Sequence, residues 1–482
     1  MRKQDPEKSK DTRQKSESGE LVKKNPAATY ELIPPQEMIQ FMLKYSFFHK
    51  QVTQIPESII VKKEIDFDVM KEAFNIEIQR NDCLRLRFFK EKGRIKQYFI
   101  DEYKLDDIPV LNFKSADERV KLLTEDARKP IKMLKDETFR VRFFRTEDNR
   151  CGVYINVHHL VMDNAAVFTF FADLFAVYES LVNGAEMPKP LGSYEEIIKK
   201  ELAYAADPEN FRREEKAYRE FMEKDGEPLY LGVEGPKFLE AERIKKKNPS
   251  LRAPSLFDPI HDKAELTKHS VPYEESQKIF EFMKEFGVSG ECLVQLAMRL
   301  HVSKINNRHN DTYFIVLCPR RRTLKEKRAG GTMAAPLPWR IVLPEETTFR
   351  EALEKMAELQ FWAFKHMDYP YLEYRDLQQK MFNYSAAAGA STMMFSWFPL
   401  ESGSMNNWEY EFEGYSLGRY IMVIYSFAMK DMHTGCLKFS CMHRTKFVSV
   451  EDVEALHKGT EKALMLGIEN PDITLGEIMD KI

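Results

Sequence analysis

The sequence predicts a mixed α/β fold arranged as two lobes of similar size. Three observations carry this reading. Segments with strand periodicity and segments with helix periodicity alternate through both halves of the chain. A stretch rich in Pro and Gly, GAEMPKPLG at 184–192, separates the halves as a linker. The chain has 482 residues, 43% hydrophobic and 12% aromatic, enough for substantial cores and too apolar for a disordered chain.

Residues 1–28 are charged, mixed in sign and poor in aromatics, which predicts a disordered tail. The first lobe is expected over 29–185. In YELIPPQEMIQFMLKYS, Pro35 and the apolar residues at 38, 39, 41, 42 and 43 predict a short helix. Residues 57–65 read as a strand and 68–80 as an amphipathic helix with Asp68 near its N-cap. CLRLRFF (83–89) alternates apolar and basic residues, as a half-buried strand does. Strands at 95–100 and 138–145 flank a helix near 115–128. GVYINVH (152–158) sets Val153, Ile155 and Val157 on one face and Tyr154, Asn156 and His158 on the other. A long helix, 164–182, follows HLVMDN and stops at Asn183 and Gly184.

The second lobe is expected over 186–482. It opens with a charged helical stretch at 194–224 and a polar connection over 225–262. Helices are expected near 273–286, 289–306, 348–367 and 449–466, and strands at 312–318, 391–398, 419–429 and 435–443. The aromatic stretches Phe168 to Phe175 and Phe395 to Phe398 read as core.

Composition removes several function classes. Lys plus Arg is 73 and Asp plus Glu is 76, a formal net charge of -3, which argues against a nucleic-acid binder. No apolar run approaches the ~20 residues of a membrane span, and the opening residues lack the apolar core of a secretory signal. The six cysteines, at 83, 151, 292, 318, 436 and 441, form no CxxC pair. They read as reduced thiols in a cytoplasmic protein, neither a disulfide framework nor a zinc site. Gly330 and Gly331 lack the GK[ST] of a phosphate loop.

Chemistry concentrates at His158-His159-Leu160-Val161-Met162-Asp163, between a strand and a helix. Two adjacent histidines on a strand cannot face the same way, so one is expected to be structural and one available. A neutral imidazole accepts a proton from an attacking amine or hydroxyl near pH 7. Asp163 either orients the loop or pairs with an arginine from elsewhere. A loop without chemistry is an equal reading of these residues alone. A metal site is disfavoured, since no third nitrogen or sulfur ligand has suitable local spacing.

HHLVMDN resembles the HHxxxDG signature of the condensation-domain superfamily of nonribosomal peptide synthetases and related acyltransferases. Five further segments resemble that family in order. They are YELIPPQEMIQF, RNDCLRLRF (80–88), DETFRVRFF, GTMAAPLPWRIVL (331–343) and TFREALEKM…HMDYPYLEY. The resemblance runs from about 29 to 480. It implies two chloramphenicol acetyltransferase-like lobes, mixed sheets flanked by helices, forming a V-shaped pseudo-dimer with the histidine motif in a tunnel between them.

The resemblance also implies roles. His159 is the catalytic second histidine and His158 the structural first one. Asp163 makes a buried salt bridge, expected to Arg85 or Arg87. Helix-start N–H groups near Asn164 stabilise an oxyanion. Asn164 stands where the family has glycine. Asn is among the better residues at positive φ and at an N-cap, so activity is expected to survive the change. Ala334-Ala335-Pro336 stands where the family often has VNT. His366 reads as structural. PRRRTLKEKR (319–328) reads as a solvated basic loop, with docking of an acidic carrier or a phosphate as the alternative.

The implied activity is a condensation-type acyltransferase. It joins an acyl or aminoacyl thioester, on the phosphopantetheine arm of a carrier protein supplied in trans or on CoA, to an amine. An ester-forming O-acyltransferase and a non-catalytic carrier-docking module are the alternatives, and an epimerase is a less favoured one. No adenylation-type loop, GGxS-like attachment site or GxSxG nucleophile is present, so a free-standing monomeric condensation domain without a permanent cofactor or metal is expected.

Overall fold

In the first half, one strand is buried on both faces and organises the elements around it. The computed structural model describes residues 28–482 except 47, 136, 399–407, 432 and 433. The tail expected to be disordered therefore lies, but for Ala28, outside the described residues. The first half carries β1 (Tyr30–Glu31), β2 (Gln54–Val61), β3 (Leu86–Glu91), β4 (Arg94–Phe99), β5 (Val110–Asn112), β6 (Phe139–Arg145) and β7 (Cys151–His158). The second carries β8 (Ala264–Ser270), β9 (Asp311–Cys318), β10 (Ala335–Val342), β11 (Met394–Phe398), β12 (Tyr410–Gly414), β13 (Ile424–Lys430) and β14 (Leu437–Arg444). They form three sheets, ordered β1-β4-β3, β12-β2-β7-β6-β5 and β10-β9-β11-β13-β14-β8.

All of β7 is buried. Val153, Ile155 and Val157 pack beneath the helix Asn164–Asn183, with Phe170, Phe171 and Leu174. Tyr154 faces the other way, against Ile60, Leu123 and Phe144. The face that carries Tyr154 is thus a second core, because the helix Ala116–Ala127 covers it. The helix Asn164–Asn183 is long and apolar enough to cross a membrane by length and composition, yet it is largely buried. Its one acidic core residue, Asp173, is held by Arg80 at 2.6 Å. Gly184 ends it in the left-handed region at φ 64°.

The six-stranded sheet of the second half is covered on one face by helices Gly290–Ile305, Phe349–Lys365 and Val450–Glu469. Phe395, Ala428, Phe439 and Cys441 point into that layer. By the two-residue alternation of strands, Ser396, Tyr425, Phe427, Met442 and Lys268 point the other way. All six cysteines are free, five of them buried.

Several expectations need correction. The cores do not divide at 185/186. β12 pairs with β2, and Tyr194, Ile197, Ala329, Met333 and Trp408 pack in the core of the first half. Asp66, not Asp68, caps the helix Phe67–Arg80, accepting from Asp68 N and Val69 N. The charged stretch is two helices, Tyr194–Ala206 and Pro208–Lys224, divided where Asp207 caps and Pro208 starts the second. The polar connection contains a helix, Lys237–Lys245. β8 and the helix Tyr371–Phe382 were not legible, since both are half-polar elements whose pattern is set by what they cover.

His457 is buried in the helical layer with neither ring nitrogen hydrogen-bonded among the described residues. Burial, aided by His269 and His443, lowers its pKa to about 3. A histidine depressed in the folded state favours folding fully above its unfolded value near 6.5, and that contribution is lost as pH falls towards 3. The melting temperature is therefore expected to fall between pH 6.5 and 4, and His457→Phe to flatten that slope. An unchanged slope in a calorimetric pH series would contradict this placement.

Candidate active site

The end of β7 delivers the two histidines into different surroundings. His158 is fully committed. Its Nδ1 accepts from Leu160 N at 3.1 Å, which requires the proton to sit on Nε2. Nε2–H then donates to Thr53 Oγ1 at 3.2 Å, and the Thr53 hydroxyl donates on to Lys50 O. Burial, with His159 beside it, lowers the His158 pKa to about 3, so the ring is neutral and structural.

His159 is anchored by its backbone and open at its ring. Its N–H donates to Thr53 O at 2.8 Å, and its carbonyl accepts from the Thr332 hydroxyl. Nδ1 is buried without a hydrogen bond among the described residues. Nε2 is not among the buried atoms, and the side chain is half-buried, so Nε2 is the nitrogen open to a substrate. Burial lowers the His159 pKa. The Asp163 carboxylate and the residue's own backbone carbonyl oppose that shift without cancelling it.

Asp163 ties the two halves of the chain together. Oδ1 caps the helix Asn164–Asn183 by accepting from Ala166 N at 2.9 Å. Oδ2 accepts from Arg321 Nη1 at 2.9 Å and from Met333 N and Ala334 N at 2.8 Å. Burial raises its pKa, but Arg321 and the N–H donors outweigh burial and hold the carboxyl below its ordinary value. Gly331 completes the strap. Its carbonyl accepts from Arg321 Nη2 and from Asp163 N. It sits at φ +90°, and a Cβ there would lie 2.0 Å from the Tyr194 ring. Only glycine fits.

The expected partners of Asp163 are therefore wrong. Arg85 donates to Ile78 O, Ile100 O and Asp101 O. Arg87 donates to Leu84 O, Leu86 O and Thr138 Oγ1 and lies over the Tyr103 ring. Both tie down the start of β3. Sequence likeness thus placed the right charge on the wrong element, since the guanidinium on Asp163 is that of Arg321. The basic loop is solvated over 322–325 and at Lys327, but not at its first two arginines. Arg320 pairs with Glu201 and Asp368, and Arg322 pairs with Asp368. Arg320 and Arg321 are thus turned inward, while Arg322, Lys325 and Lys327 stay exposed.

Asn164 is the first helical residue, not the cap, and its φ is not positive. Its side chain makes no hydrogen bond among the described residues. The family glycine is thus replaced without backbone strain. His366 pairs with Glu214 at 2.8 Å, in keeping with a structural role. Among the described residues no group of three or more His, Cys, Asp or Glu is placed to hold a metal ion.

Four supporting residues escaped the sequence reading. Arg321 and Thr332 act from about 160–170 residues away in sequence, and nothing local distinguishes Arg321 from its neighbours. Thr53 lies in a short 3-10 turn, Lys50–Thr53, before β2. Gln36 donates to Leu160 O at 2.9 Å and to Gln97 at 2.7 Å, linking the opening helix to the histidine loop. Its signal was present in YELIPPQ, as a glutamine placed just after two prolines.

Comparison with known proteins shows the family and the fold. The family model described as Condensation domain matches residues 27–387. The chain is 23% identical over 350 residues to surfactin synthase subunit 1 of Bacillus subtilis (strain 168), covering 71% of this chain and 9% of that protein. It is 26% identical over 178 residues to tyrocidine synthase 2 of Brevibacillus parabrevis, covering 35% of this chain and 5% of that one. The chain thus spans less than a tenth of these relatives' length.

Among solved structures, the first condensation domain of the calcium-dependent antibiotic synthetase superposes with a TM-score of 0.75 at 15% identity, covering 94% of this chain and 99% of that one. The condensation domain of the monacolin K polyketide synthase gives 0.76 at 14%, covering 94% and 100%. The starter condensation domain of rhizomide synthetase, a mutant in complex with C8-CoA and Leu-SNAC, gives 0.75 at 13%, covering 94% and 96%.

The Asp163–Arg321 pair generates a direct test. Removing one partner of a buried ion pair costs about 3–5 kcal/mol. Asp163→Asn and Arg321→Ala are each expected to lower the unfolding midpoint. Their double mutant should be less destabilised than the sum of the two, by roughly 1–3 kcal/mol. Arg87→Ala combined with Asp163→Asn should be additive. Additivity in the first cycle would remove the pairing.

Proposed function

The chain belongs to the condensation-domain family, and from that membership we propose that it joins an acyl or aminoacyl thioester to an amine, forming an amide. Its fold is the chloramphenicol acetyltransferase-like one of that family, mixed sheets flanked by helices. Condensation domains are acyl or peptidyl transferases that work with carrier-protein phosphopantetheine or CoA thioesters. For this chain the donor is a carrier thioester supplied in trans or a CoA thioester, and that thioester is substrate, not resident cofactor.

The observation that carries the proposal is the division of labour between the histidines. His158 is locked neutral by Thr53 and Leu160. His159 keeps one ring nitrogen open. The acceptor nitrogen attacks the thioester carbonyl, and His159 Nε2 takes the proton lost by the amine. The electron pair moves onto the carbonyl oxygen. N–H groups at the start of Asn164–Asn183 are the donors suited to that oxyanion. Collapse expels the thiolate, which takes the proton back from the imidazolium.

Asp163 acts by holding the loop, since its oxygens are spent on Arg321 and backbone N–H groups. Its charge also favours the imidazolium. An unstrained Asn164 gives no ground for preferring a non-catalytic docking module.

Intact-mass spectrometry of an acyl-loaded carrier, offered amine and alcohol acceptors, tests the proposal. Acyl loss with an amide product is expected, and His159→Ala should lose roughly 100-fold or more in rate with its fold intact. Because burial lowers the His159 pKa, the base form persists to lower pH. The acidic limb of kcat/KM should therefore fall below the ordinary histidine value near 6.5. An ester product would move the reading to O-acyl transfer. No transfer from carrier or CoA thioesters would move it to carrier docking.

A further inference from the structure

Glu57, in the middle of β2, is a carboxylate that the described chain leaves without any partner. Its neighbours in the sheet are Ile155 on β7 and Gly414 on β12. It forms no hydrogen bond or ion pair among the described residues, and Oε2 is buried. The side chain is only half-buried, so the other oxygen is open. Burial raises its pKa well above the usual carboxylate range. A buried carboxylate without a donor is costly, and such groups are normally paired.

Its placement relates it to the reaction. Ile55, Glu57 and Ile59 share a face with Val157, Ile155 and Val153. His159 is the next residue of that face, held through its N–H by Thr53 O. Thr53 and Glu57 are four residues apart, about 13 Å at ~3.3 Å per residue. Gly414 has no side chain, and a Cβ there would lie 2.9 Å from Oε2. The one cation acting on Glu57 is Lys268. Lys268 is exposed, on β8 at the edge of the six-stranded sheet. It makes no ion pair of its own among the described residues.

We propose that Glu57 is a specificity residue that receives a protonated amine on the side chain or far end of one of the two condensation substrates. The proposal rests on the transferase reading and deepens it by naming a substrate class. At ~13 Å from the catalytic loop, Glu57 cannot serve the reacting amine. It reads a second, distal cation. An apolar substrate leaves its desolvated carboxyl unpaired, and a carboxylate-bearing one repels it once ionised. Lys268 competes for Glu57 when no ligand is present.

Calorimetric binding to the full chain tests this with two pairs of N-acetylcysteamine thioesters. Lysyl against norleucyl probes the acceptor side, and 6-aminohexanoyl against hexanoyl probes the donor side. In one pair the amine-bearing probe is expected to bind about 10-fold tighter or more. Glu57→Gln should abolish that preference and Lys268→Ala should enlarge it. The Lys268 arm retains the test if Glu57→Gln fails to fold. Equal binding within both pairs, absence of binding by all four, or a preference that survives Glu57→Gln overturns the proposal. Acyl transfer without such a preference overturns this inference alone. A preference without acyl transfer overturns the transferase reading and leaves a cation-recognition site.

Discussion

One carboxylate, Asp163, is the constraint on which the candidate site depends. Two oxygens accept four donors drawn from three parts of the chain. One donor starts the long central helix, two belong to the strap before β10, and one is a guanidinium in the basic loop. Each donor stabilises the charge that the others need, and burial makes loss of any of them costly. The result is a fixed turn after β7, with His159 held at both its N–H and its carbonyl. The base is thus positioned by its backbone, and its ring stays free.

The pair of histidines shows how the same residue type is split into two roles. His158 has both nitrogens paired and takes one tautomer by necessity. His159 has its backbone paired and a nitrogen open. Neither role needs a carboxylate hydrogen-bonded to the imidazole, as a charge-oriented triad would. Arg321, which secures this arrangement, comes from the second half, so the chemistry of the first half depends on a loop from the second.

Much of this was legible in the sequence where local rules act alone. The alternation at 152–158 and the apolar run after it predicted β7 and its helix within a residue at either end. The histidine pair announced itself by position between them. What failed was non-local. Arg85 and Arg87 were expected as partners from the family resemblance, but the charge that reaches Asp163 comes from Arg321. Asp66 outcompeted Asp68 for the cap by two residues of register. β12 left its own half to extend the first sheet, which no hydrophobic pattern records. Glu57 read as an ordinary strand residue, because its lack of a partner exists only in three dimensions.

The central claim is that His158 is locked and His159 is open, and nitrogen-15 NMR of histidine-labelled protein tests it most directly. Between pH 4 and 8, one ring should stay neutral with its proton on Nε2, and its signals should vanish in His158→Ala. A second ring should titrate below 6.5, and its signals should vanish in His159→Ala. A His158 that titrates in the ordinary range, or a His159 held in the same untitrating state, would contradict the account.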